Sequence, residues 1–449
     1  MDVTSSRRGE PTAVPIHSEA DRGAELHPKI LFLIDEMSSI TAGGTERQLL
    51  QQVEIARKSG LSPTVCVLRG TEWLTGKIAG CHVKHFEIER ICSLDGLVKL
   101  KELVRWMRGE RFQILQTFFS ESNLIGPWIG RLAAIPVVLG TRRNLNHATN
   151  DGMNSFGIRL QAVSNMLVDR IIANSEAVLE RVAESELGSR RKLCVVYNGI
   201  DLSQMQLRAG EGAKLRRQFG LQEHHVLVGN ISGLRRIKGV DIFVKAAALA
   251  SRKHPQLRFV LVGDGELREE IEHLVEESRL RDVFVMAGAA DDVSPFLAAM
   301  DVAVLSSMAE GFSNSLLEYM AAELPIIATD VGGNREALGG SGILIEAGRP
   351  AALASAISSL VDGSVRKACS AGAYRAVQRF DVKVAEARMR ELYWSHLGNL
   401  PGPYGSIRWP SVQTDSHVAA LSVAGAPENK DTRRDCEGTA DQIPVSNVQ

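Results

Sequence analysis

The segment VLVGNISGLRRIKGVDIFVKAAALASRKHPQLRFVLVGDG, residues 226–265, decides the fold. Its first part, Val226–Asn230, is a short apolar run with the length of a buried strand. Residues 238–251 have the apolar spacing of a helix, and Phe259–Val262 is a second apolar run that ends at a Gly-Asp-Gly turn. Strand, helix and strand in this order predict a right-handed βαβ unit, and therefore a parallel sheet covered by helices.

Short apolar runs alternate with longer amphipathic stretches on both sides of this segment. Upstream, Lys29–Ile34 and Ile114–Phe118 are predicted strands, and downstream Val302–Leu305 is another. Because strands and helices alternate throughout, an α/β fold is expected along most of the chain.

The alternation of predicted strands and helices is interrupted once, at residues 198–201, and then resumes. The sequence Asn-Gly-Ile-Asp at 198–201 begins with a strong turn signal, and a polar segment follows it. We therefore expect two doubly wound, Rossmann-like domains that face each other across a cleft, where ligands bind at the carboxyl ends of the strands. The predicted divisions are a disordered tail at 1–27, a first domain at 28–200, a second domain at 201–380, a helix at 381–400 that packs back on the first domain, and a disordered tail at 401–449.

Amino-acid composition and charge exclude some classes of protein. The chain has 449 residues, with 52 Lys and Arg against 53 Asp and Glu, so a nucleic-acid binder that works by bulk positive charge is excluded. No apolar run approaches the roughly 18 residues that span a bilayer, and the polar N-terminal stretch is unlike a signal peptide. The six cysteines are scattered without a Cys-x-x-Cys pair, which is typical of the reducing cytoplasm. No metal site and no cofactor are predicted.

Two carboxylates flank a predicted anion site in EGFSNSLLE, residues 310–318. Gly311 lets backbone N–H groups approach a ligand, and Ser313 or Asn314 is a natural cap for the helix that follows. Free amides at a helix N-terminus attract phosphate. Glu310 and Glu318 lie on the order of 10 Å apart at helical rise, which is enough to bracket a sugar–diphosphate–ribose unit. The alternative is one carboxylate in a turn and one on a solvated helix face.

A basic loop, SGLRRIKG at 232–239, follows the strand Val226–Asn230. Arg235 and Lys238 there would suit a diphosphate in the cleft. The alternative is a basic loop that only meets solvent.

Two further basic segments occur in the first domain. Arg142 and Arg143 follow a predicted strand and either face the cleft and the acceptor or pair with acidic residues of their own domain. Residues 97–112 form a basic amphipathic helix whose apolar stripe is predicted to be Leu97, Leu100, Val104 and Met107. A core-facing helix with a solvated cationic side is favoured over membrane-surface binding.

Several motifs together resemble a known family. Residues 310–318 are similar to the Glu-x7-Glu motif of retaining glycosyltransferases of the GT-B fold, in particular family 4. Residues 321–336 resemble the segment that follows that motif, Gly43-Gly44 resembles a loop of the family's first domain, and Tyr197–Asp201 resembles its interdomain junction. The resemblance extends over residues 29 to 397 with the motifs in the expected order.

The resemblance implies a metal-independent hexosyltransferase that transfers a sugar from a UDP- or GDP-linked donor to a saccharide or lipid-linked acceptor. Polysaccharide or glycolipid synthesis in the cytoplasm, with peripheral membrane contact, would suit it. Glu310 would hold the donor sugar and Glu318 the ribose, while Lys238 and Arg235 would act on the diphosphate. The family has an arginine where this chain has Gly233, so Arg235 is the substitute candidate. The remaining donor-binding candidates are Gly43, Gly44, Gly311, Phe312, Ser313, Asn314 and Ser315.

Retention at the anomeric carbon could arise from a covalent carboxylate intermediate or from front-face attack, and the resemblance favours the second. Two rival functions stay open: a nucleotide-sugar epimerase of the same architecture and a non-enzymatic two-domain binding protein. A nicotinamide-dependent oxidoreductase is disfavoured because Gly263-Asp-Gly265 has no third glycine at the fingerprint position.

Overall fold

The computed structural model describes residues 27–36, 44–70, 78, 80–145, 155–186, 190–205 and 209–400. Apart from His27, the tails predicted at 1–27 and 401–449 lie outside these ranges, and so does Gly43.

The first domain is built on a seven-stranded sheet in which every neighbouring pair is parallel. The strand order is β3-β2-β1-β4-β5-β6-β7. The strands are β1 Lys29–Ile34, β2 Ser62–Val67, β3 His82–His85, β4 Ile114–Thr117, β5 Val137–Arg142, β6 Arg170–Ala173 and β7 Leu193–Val195. The helices are α1 Gly44–Lys58, α2 Leu94–Glu110, α3 Ser120–Leu132, α4 Ser155–Met166 and α5 Glu176–Ser185.

The second domain repeats this plan with six parallel strands in the order β10-β9-β8-β11-β12-β13. The strands are β8 Val226–Ile231, β9 Leu257–Val262, β10 Phe284–Gly288, β11 Val302–Leu305, β12 Ile326–Thr329 and β13 Ile343–Ile345. The helices are α6 Ala209–Gln218, α7 Val240–Ser251, α8 Arg268–Glu277, α9 Ser294–Ala299, α10 Asn314–Ala321, α11 Asn334–Leu338, α12 Pro350–Ser359, α13 Gly363–Ser370 and α14 Ala373–Val377.

The strands are buried on both faces because helices cover both sides of each sheet. Consecutive residues of β1, such as Phe32 and Leu33, belong to different apolar clusters on opposite faces of the first sheet. In the second sheet Val228 and Leu227 divide in the same way. The predicted pair of doubly wound α/β domains is confirmed.

The predicted βαβ unit is β8–α7–β9, with one difference at the start of its helix. Residues Arg236–Lys238 form a short 3-10 turn, and α7 begins only at Val240. Gly239 between them has φ 56°, and a Cβ there would lie 2.2 Å from the carbonyl oxygen of Ser306. This contact with the neighbouring strand end breaks the helix and leaves Lys238 in the loop at the carboxyl edge of the sheet.

A final helix, α15 Val382–Leu397, returns to the first domain. Its residues Met389, Tyr393 and Leu397 are buried in the apolar cluster that includes β1. The Tyr393 hydroxyl lies 2.8 Å from Oε1 of Gln116, and Trp394 Nε1 donates to the carbonyl of Ser59. The helix therefore ties the end of the second domain to the first.

Within the described ranges, no helix combines the length and apolar character needed to cross a bilayer.

Candidate active site

A cavity of about 330 Å³ lies between the two domains, at the carboxyl ends of their strands. The order of each sheet reverses at its first strand: β1 lies between β2 and β4, and β8 between β9 and β11. In doubly wound sheets ligands bind at such reversals. The second domain contributes the loops after β8, β9, β10 and β11, and the first domain contributes the start of α1 and the loops after β5, β6 and β7.

The loop after β11 carries the Glu-x7-Glu motif into this cavity. Ser313 is the cap of α10, since its side chain accepts from the N–H of Leu316 at 3.4 Å. Asn314, the other predicted cap, is the first helical residue, and its side chain donates to the carbonyl of Gly44 at 3.4 Å. Residues 310–315 and Glu318 all line the cavity, so the sequence-predicted donor residues of this motif are brought together.

Glu310 and Lys238 form an ion pair at the floor of the cavity. Lys238 Nζ lies 2.6 Å from Oε1 of Glu310, and the two side chains are 19% and 9% exposed. Ser307 Oγ donates to the same carboxylate oxygen at 2.7 Å. Because both partners use Oε1, the second oxygen of Glu310 stays available to a ligand.

Arg235 lies on the same loop as Lys238 and also lines the cavity. It is exposed, and the described residues offer its side chain no hydrogen-bond or ion-pair partner. The adjacent Arg236 instead pairs with Glu270 at 3.2 Å on the outer surface. Gly233 lines the cavity with open space beside it, since the nearest atom to a Cβ there would be Nε of Arg235 at 3.7 Å. Arg235 therefore occupies the neighbourhood of the position where the sequence lacks a cation.

Gly311 meets the first domain at close range. A Cβ on Gly311 would lie 1.9 Å from the carbonyl oxygen of Arg143. Ser175 Oγ donates to the carbonyl of Gly311 at 2.8 Å. Gly311 also lines the cavity, so its predicted role of letting backbone N–H groups approach a ligand stays a prediction, and its close contact with the opposite domain is a second role that the sequence did not indicate.

Glu318 lies across the cavity from α1. Its carboxylate is 3.5 Å from Nη1 of Arg47, and the Glu318 side chain is 15% exposed. Burial raises the pKa of Glu318 to about 7, and the positive charge of Arg47 opposes part of that rise. Gly44 lines the same end of the cavity. Gly43, the other glycine of the predicted loop, is outside the described residues.

The two predicted acceptor-side arginines diverge. Arg142 does not face the cavity: it is buried in the first domain, where its guanidinium contacts the Glu186 carboxylate at 2.9 to 3.1 Å. Arg142 therefore forms an internal ion pair, which is the alternative that the sequence leaves open. Arg143 does line the cavity. Burial lowers the pKa of Arg143 to about 10, so it remains a cation at neutral pH.

Sequence reasoning missed two asparagines of the first domain. Asn198 donates to the carbonyl of Phe312 at 3.1 Å and to Oδ1 of Asn314 at 2.7 Å, and it accepts from Arg143. Asn174 donates to the carbonyl of Arg143 at 3.2 Å. Asn174 directly follows β6, and strand-end position is the signal that could have found it. For Asn198 the sequence indicates only a turn.

The far end of the cavity is lined by residues after β9 and β10, among them Asp264, Ala290 and Asp291. Val262 and Val293 add apolar wall there. In the described part of the chain, no three His, Cys, Asp or Glu side chains are grouped closely enough to hold a metal ion.

Family models match both halves of the chain. Residues 42–204 match the model described as Glycosyltransferase Family 4. Residues 223–363 match the model described as Glycosyl transferases group 1. The chain therefore belongs to the glycosyltransferases that these two models describe, which have the GT-B fold. The resemblance drawn from the motifs is thereby confirmed at the level of family and fold.

Individual relatives agree with this assignment. This glycosyltransferase is 27% identical over 331 residues to the D-inositol 3-phosphate glycosyltransferase of Thermobispora bispora, covering 69% of this chain and 76% of that protein. It is 24% identical over 261 residues to the UDP-Gal:alpha-D-GlcNAc-diphosphoundecaprenol alpha-1,3-galactosyltransferase of Escherichia coli, covering 56% of this chain and 67% of that protein.

The crystal structure of Anabaena HepE in complex with UDP-glucose has the same fold. It aligns with a TM-score of 0.71 at 22% identity, over 82% of this chain and 100% of that one. The glycosyltransferase is thus related to enzymes of polysaccharide, lipopolysaccharide and glycolipid biosynthesis.

Proposed function

We propose that this glycosyltransferase moves a sugar, with retention, from a nucleotide-diphosphate donor to a hydroxyl of a saccharide or lipid-linked acceptor. The observation that carries the proposal is the arrangement of charge in the interdomain cavity. Glu310 is paired with Lys238 at 2.6 Å, and the unpaired Arg235 stands beside them on the loop before α7.

The difficult part of glycosyl transfer is the departing diphosphate, which gains negative charge as the glycosidic bond breaks. Fixed positive groups at that place stabilise the transition state more than the bound substrate. We assign this role to Lys238, Arg235 and the backbone amides at the start of α10, without a metal ion. A helix N-terminus adds partial positive charge to the side-chain cations.

The two carboxylates divide the donor between them. Oε2 of Glu310 is available to accept from hydroxyls of the donor sugar, because Oε1 is taken by Lys238 and Ser307. Glu318 is assigned to the ribose hydroxyls near Arg47. Since Lys238 contacts Glu310, one side chain links the sugar site to the phosphate site.

For the stereochemistry we propose front-face attack. The acceptor oxygen bonds to the anomeric carbon on the face from which the phosphate oxygen departs, and the acceptor proton passes to that departing oxygen. The family resemblance supports this route over a covalent carboxylate intermediate. Closure of the two domains over the donor would exclude water, which competes as a nucleophile.

UDP is the first nucleotide to test, with GDP second. HepE of Anabaena was crystallised with UDP, with UDP and glucose, and with UDP-glucose. The Escherichia coli relative is named for a UDP-linked donor and a diphosphoundecaprenol-linked acceptor. These names support a UDP-sugar donor and a lipid-linked or saccharide acceptor in polysaccharide or glycolipid synthesis.

A lipid-linked acceptor would suit an enzyme that works at the cytoplasmic face of a membrane, and α2 offers a surface for that contact. The predicted stripe differs from the structure, since Met107 is buried but Leu97 points outward and is 56% exposed. Leu94 and Val98 are exposed with it, and Arg105 follows on the same helical face. Apolar and basic side chains on one helical face are typical of contact with anionic lipid surfaces. Sedimentation with vesicles containing anionic lipid tests this: Leu97→Glu should abolish co-sedimentation, and unchanged binding would refute the assignment.

The test of the proposed function is a thermal-shift screen with UDP, GDP, ADP and their sugar conjugates, with and without EDTA. A ligand that binds only the native state stabilises it by about 2.7 kcal/mol at a hundredfold excess over its dissociation constant. A shift with one nucleotide family that persists in EDTA supports a metal-independent transferase. A shift lost in EDTA contradicts metal independence, and no shift with any nucleotide contradicts the proposal.

Turnover separates the two rivals. Conversion of the donor sugar into its epimer without an acceptor would favour an epimerase. Tight nucleotide-sugar binding without consumption, across the acceptor screen, would favour a binding protein.

A further inference from the structure

Two consecutive arginines at the end of β5 are buried, but only one has a counter-charge. Arg142 contacts both carboxylate oxygens of Glu186 and also Oδ1 of Asn165 at 2.9 Å. Arg143 is 7% exposed, and its side chain has one acceptor among the described residues, the neutral amide oxygen of Asn198. A buried cation without a nearby anion lowers the stability of the fold, so the presence of Arg143 at this position calls for a functional explanation.

The rest of the Arg143 guanidinium is open to the cavity. Arg143 lines the cavity wall, and none of its nitrogens is among the fully enclosed polar atoms that lack a partner. The position of the Asn198 side chain is fixed, because its amide nitrogen donates to the carbonyl of Phe312 and to Oδ1 of Asn314. Since Arg143 lines the cavity and its remaining N–H groups have no partner among the described residues, these groups are available to a ligand in the cavity.

The backbone of Arg143 lies beside the loop that carries Glu310, the residue assigned to the donor sugar. Its carbonyl oxygen packs so closely against Gly311 that a Cβ would approach to 1.9 Å, which places it next to Glu310. Two other cavity cations already have carboxylate partners, Lys238 with Glu310 and Arg47 with Glu318. Arg235 is exposed on the opposite domain. Among the described cavity residues, Arg143 alone is a buried cation without a carboxylate.

We propose that Arg143 is the anion-binding residue of a substrate subsite on the first-domain wall, which takes a carboxylate or phosphate carried by one of the two sugar substrates. The proposal rests on the glycosyltransferase function proposed above and adds the charge class of the substrate. The anion has two sources, a uronic acid as the donor sugar or an acceptor with a phosphate or carboxylate near its reacting hydroxyl. A guanidinium binds either group through paired hydrogen bonds, more strongly where water is excluded.

Calorimetric titration at constant ionic strength tests the proposal and separates the two sources. The donor arm compares UDP-glucuronic acid with UDP-glucose. The acceptor arm compares glucose 6-phosphate with glucose, in the presence of saturating UDP. In one arm the wild-type protein should bind the anionic ligand about tenfold tighter or more than the neutral one, as a charge-assisted hydrogen bond implies.

Three variants show whether Arg143 causes the preference. Arg143→Met should lose it, and Arg143→Lys, which keeps the charge, should retain part of it. Arg181→Met removes an exposed cation of the same domain and should leave the preference unchanged. UDP affinity, measured for each variant, shows that the second domain remains folded.

The outcomes that overturn the proposal are distinct. Wild-type protein that binds UDP but shows no preference in either arm overturns the anion subsite and leaves the proposed function standing. An Arg143→Met variant that weakens neutral and anionic ligands equally assigns Arg143 to domain bracing alone, which also overturns it. Absence of binding by UDP, GDP and ADP removes the proposed function and the subsite together.

Discussion

Replacement of Gly311 by alanine tests whether the closed arrangement of the domains is the reacting one. The backbone of Gly311 is outside the left-handed region, so alanine fits its local conformation. The added Cβ would lie 1.9 Å from the carbonyl oxygen of Arg143, and real Cβ atoms essentially never come nearer than 3.0 Å. The two domains must therefore separate by about 1 Å at this point, and a misplacement of that size costs roughly a hundredfold in rate.

We expect Gly311→Ala to lower kcat by about a hundredfold while each domain stays folded, because the clash lies between domains. The assay is UDP release from the UDP-sugar selected by the thermal-shift screen as the sugar passes to its acceptor, with calorimetry for UDP affinity. Gly109→Ala is the matched control, since a Cβ at Gly109 meets no atom within 4 Å. A Gly311→Ala enzyme with the wild-type rate would refute the reasoning, because catalysis would then not need this contact.

Three further predictions concern the charged side chains of the cavity. Glu310→Gln should lower kcat by roughly tenfold or more with an unchanged circular dichroism spectrum, and a normal rate would remove Glu310 from the mechanism. The pKa of Glu318 is raised from 4.5 to about 7 in the folded protein. Its preference for the protonated form therefore stabilises the fold fully below about pH 4.5, and this contribution is lost as the pH rises to about 7. The free energy of unfolding of Glu318→Gln minus that of wild type should grow over this window, and a constant difference in urea titrations would contradict the prediction. UDP affinity of wild type should also rise more steeply through pH 7 than that of Glu318→Gln, because the carboxylate forms only in wild type. Arg235→Ala should weaken UDP about tenfold without changing the melting temperature, whereas Arg236→Ala, which removes a surface cation paired with Glu270, should leave UDP affinity unchanged; equal effects of the two would contradict a specific role for Arg235.

The sequence predicts the fold well where burial alone decides it. Strands β8 and β9 are apolar runs bounded by turn residues, so their identity follows from local pattern. The start of α7 does not. Helical spacing extends back to Lys238, but Gly239 lies so close to Ser306, 67 positions away, that α7 begins only at Val240. Such a contact is set by the packing of strand ends, which periodicity does not encode.

The site divides in a similar way. The residues after β11 are adjacent in sequence, and the structure gathers them in one cavity wall. Arg142 and Arg143 are also adjacent, but consecutive residues of an extended chain point to opposite sides. Only the placement of Glu186, 44 residues further along, decides that Arg142 belongs to the interior. The hydrogen bonds of Asn198 to Phe312 and Asn314 join residues more than a hundred positions apart, so no local sequence pattern predicts them.

The measurement that tests the central claim most directly is single-turnover release of UDP from the bound UDP-sugar as the sugar passes to its acceptor, in the presence of EDTA. It compares wild type with Lys238→Ala, and with Lys245→Ala, which removes an exposed lysine paired with Asp241 on α7. If fixed cations stabilise the departing diphosphate, wild type and Lys245→Ala should turn over fully in EDTA, and Lys238→Ala should be slower by roughly tenfold or more. A wild-type rate that vanishes in EDTA and returns with Mg²⁺ or Mn²⁺, or a Lys238→Ala rate equal to wild type, would contradict the account.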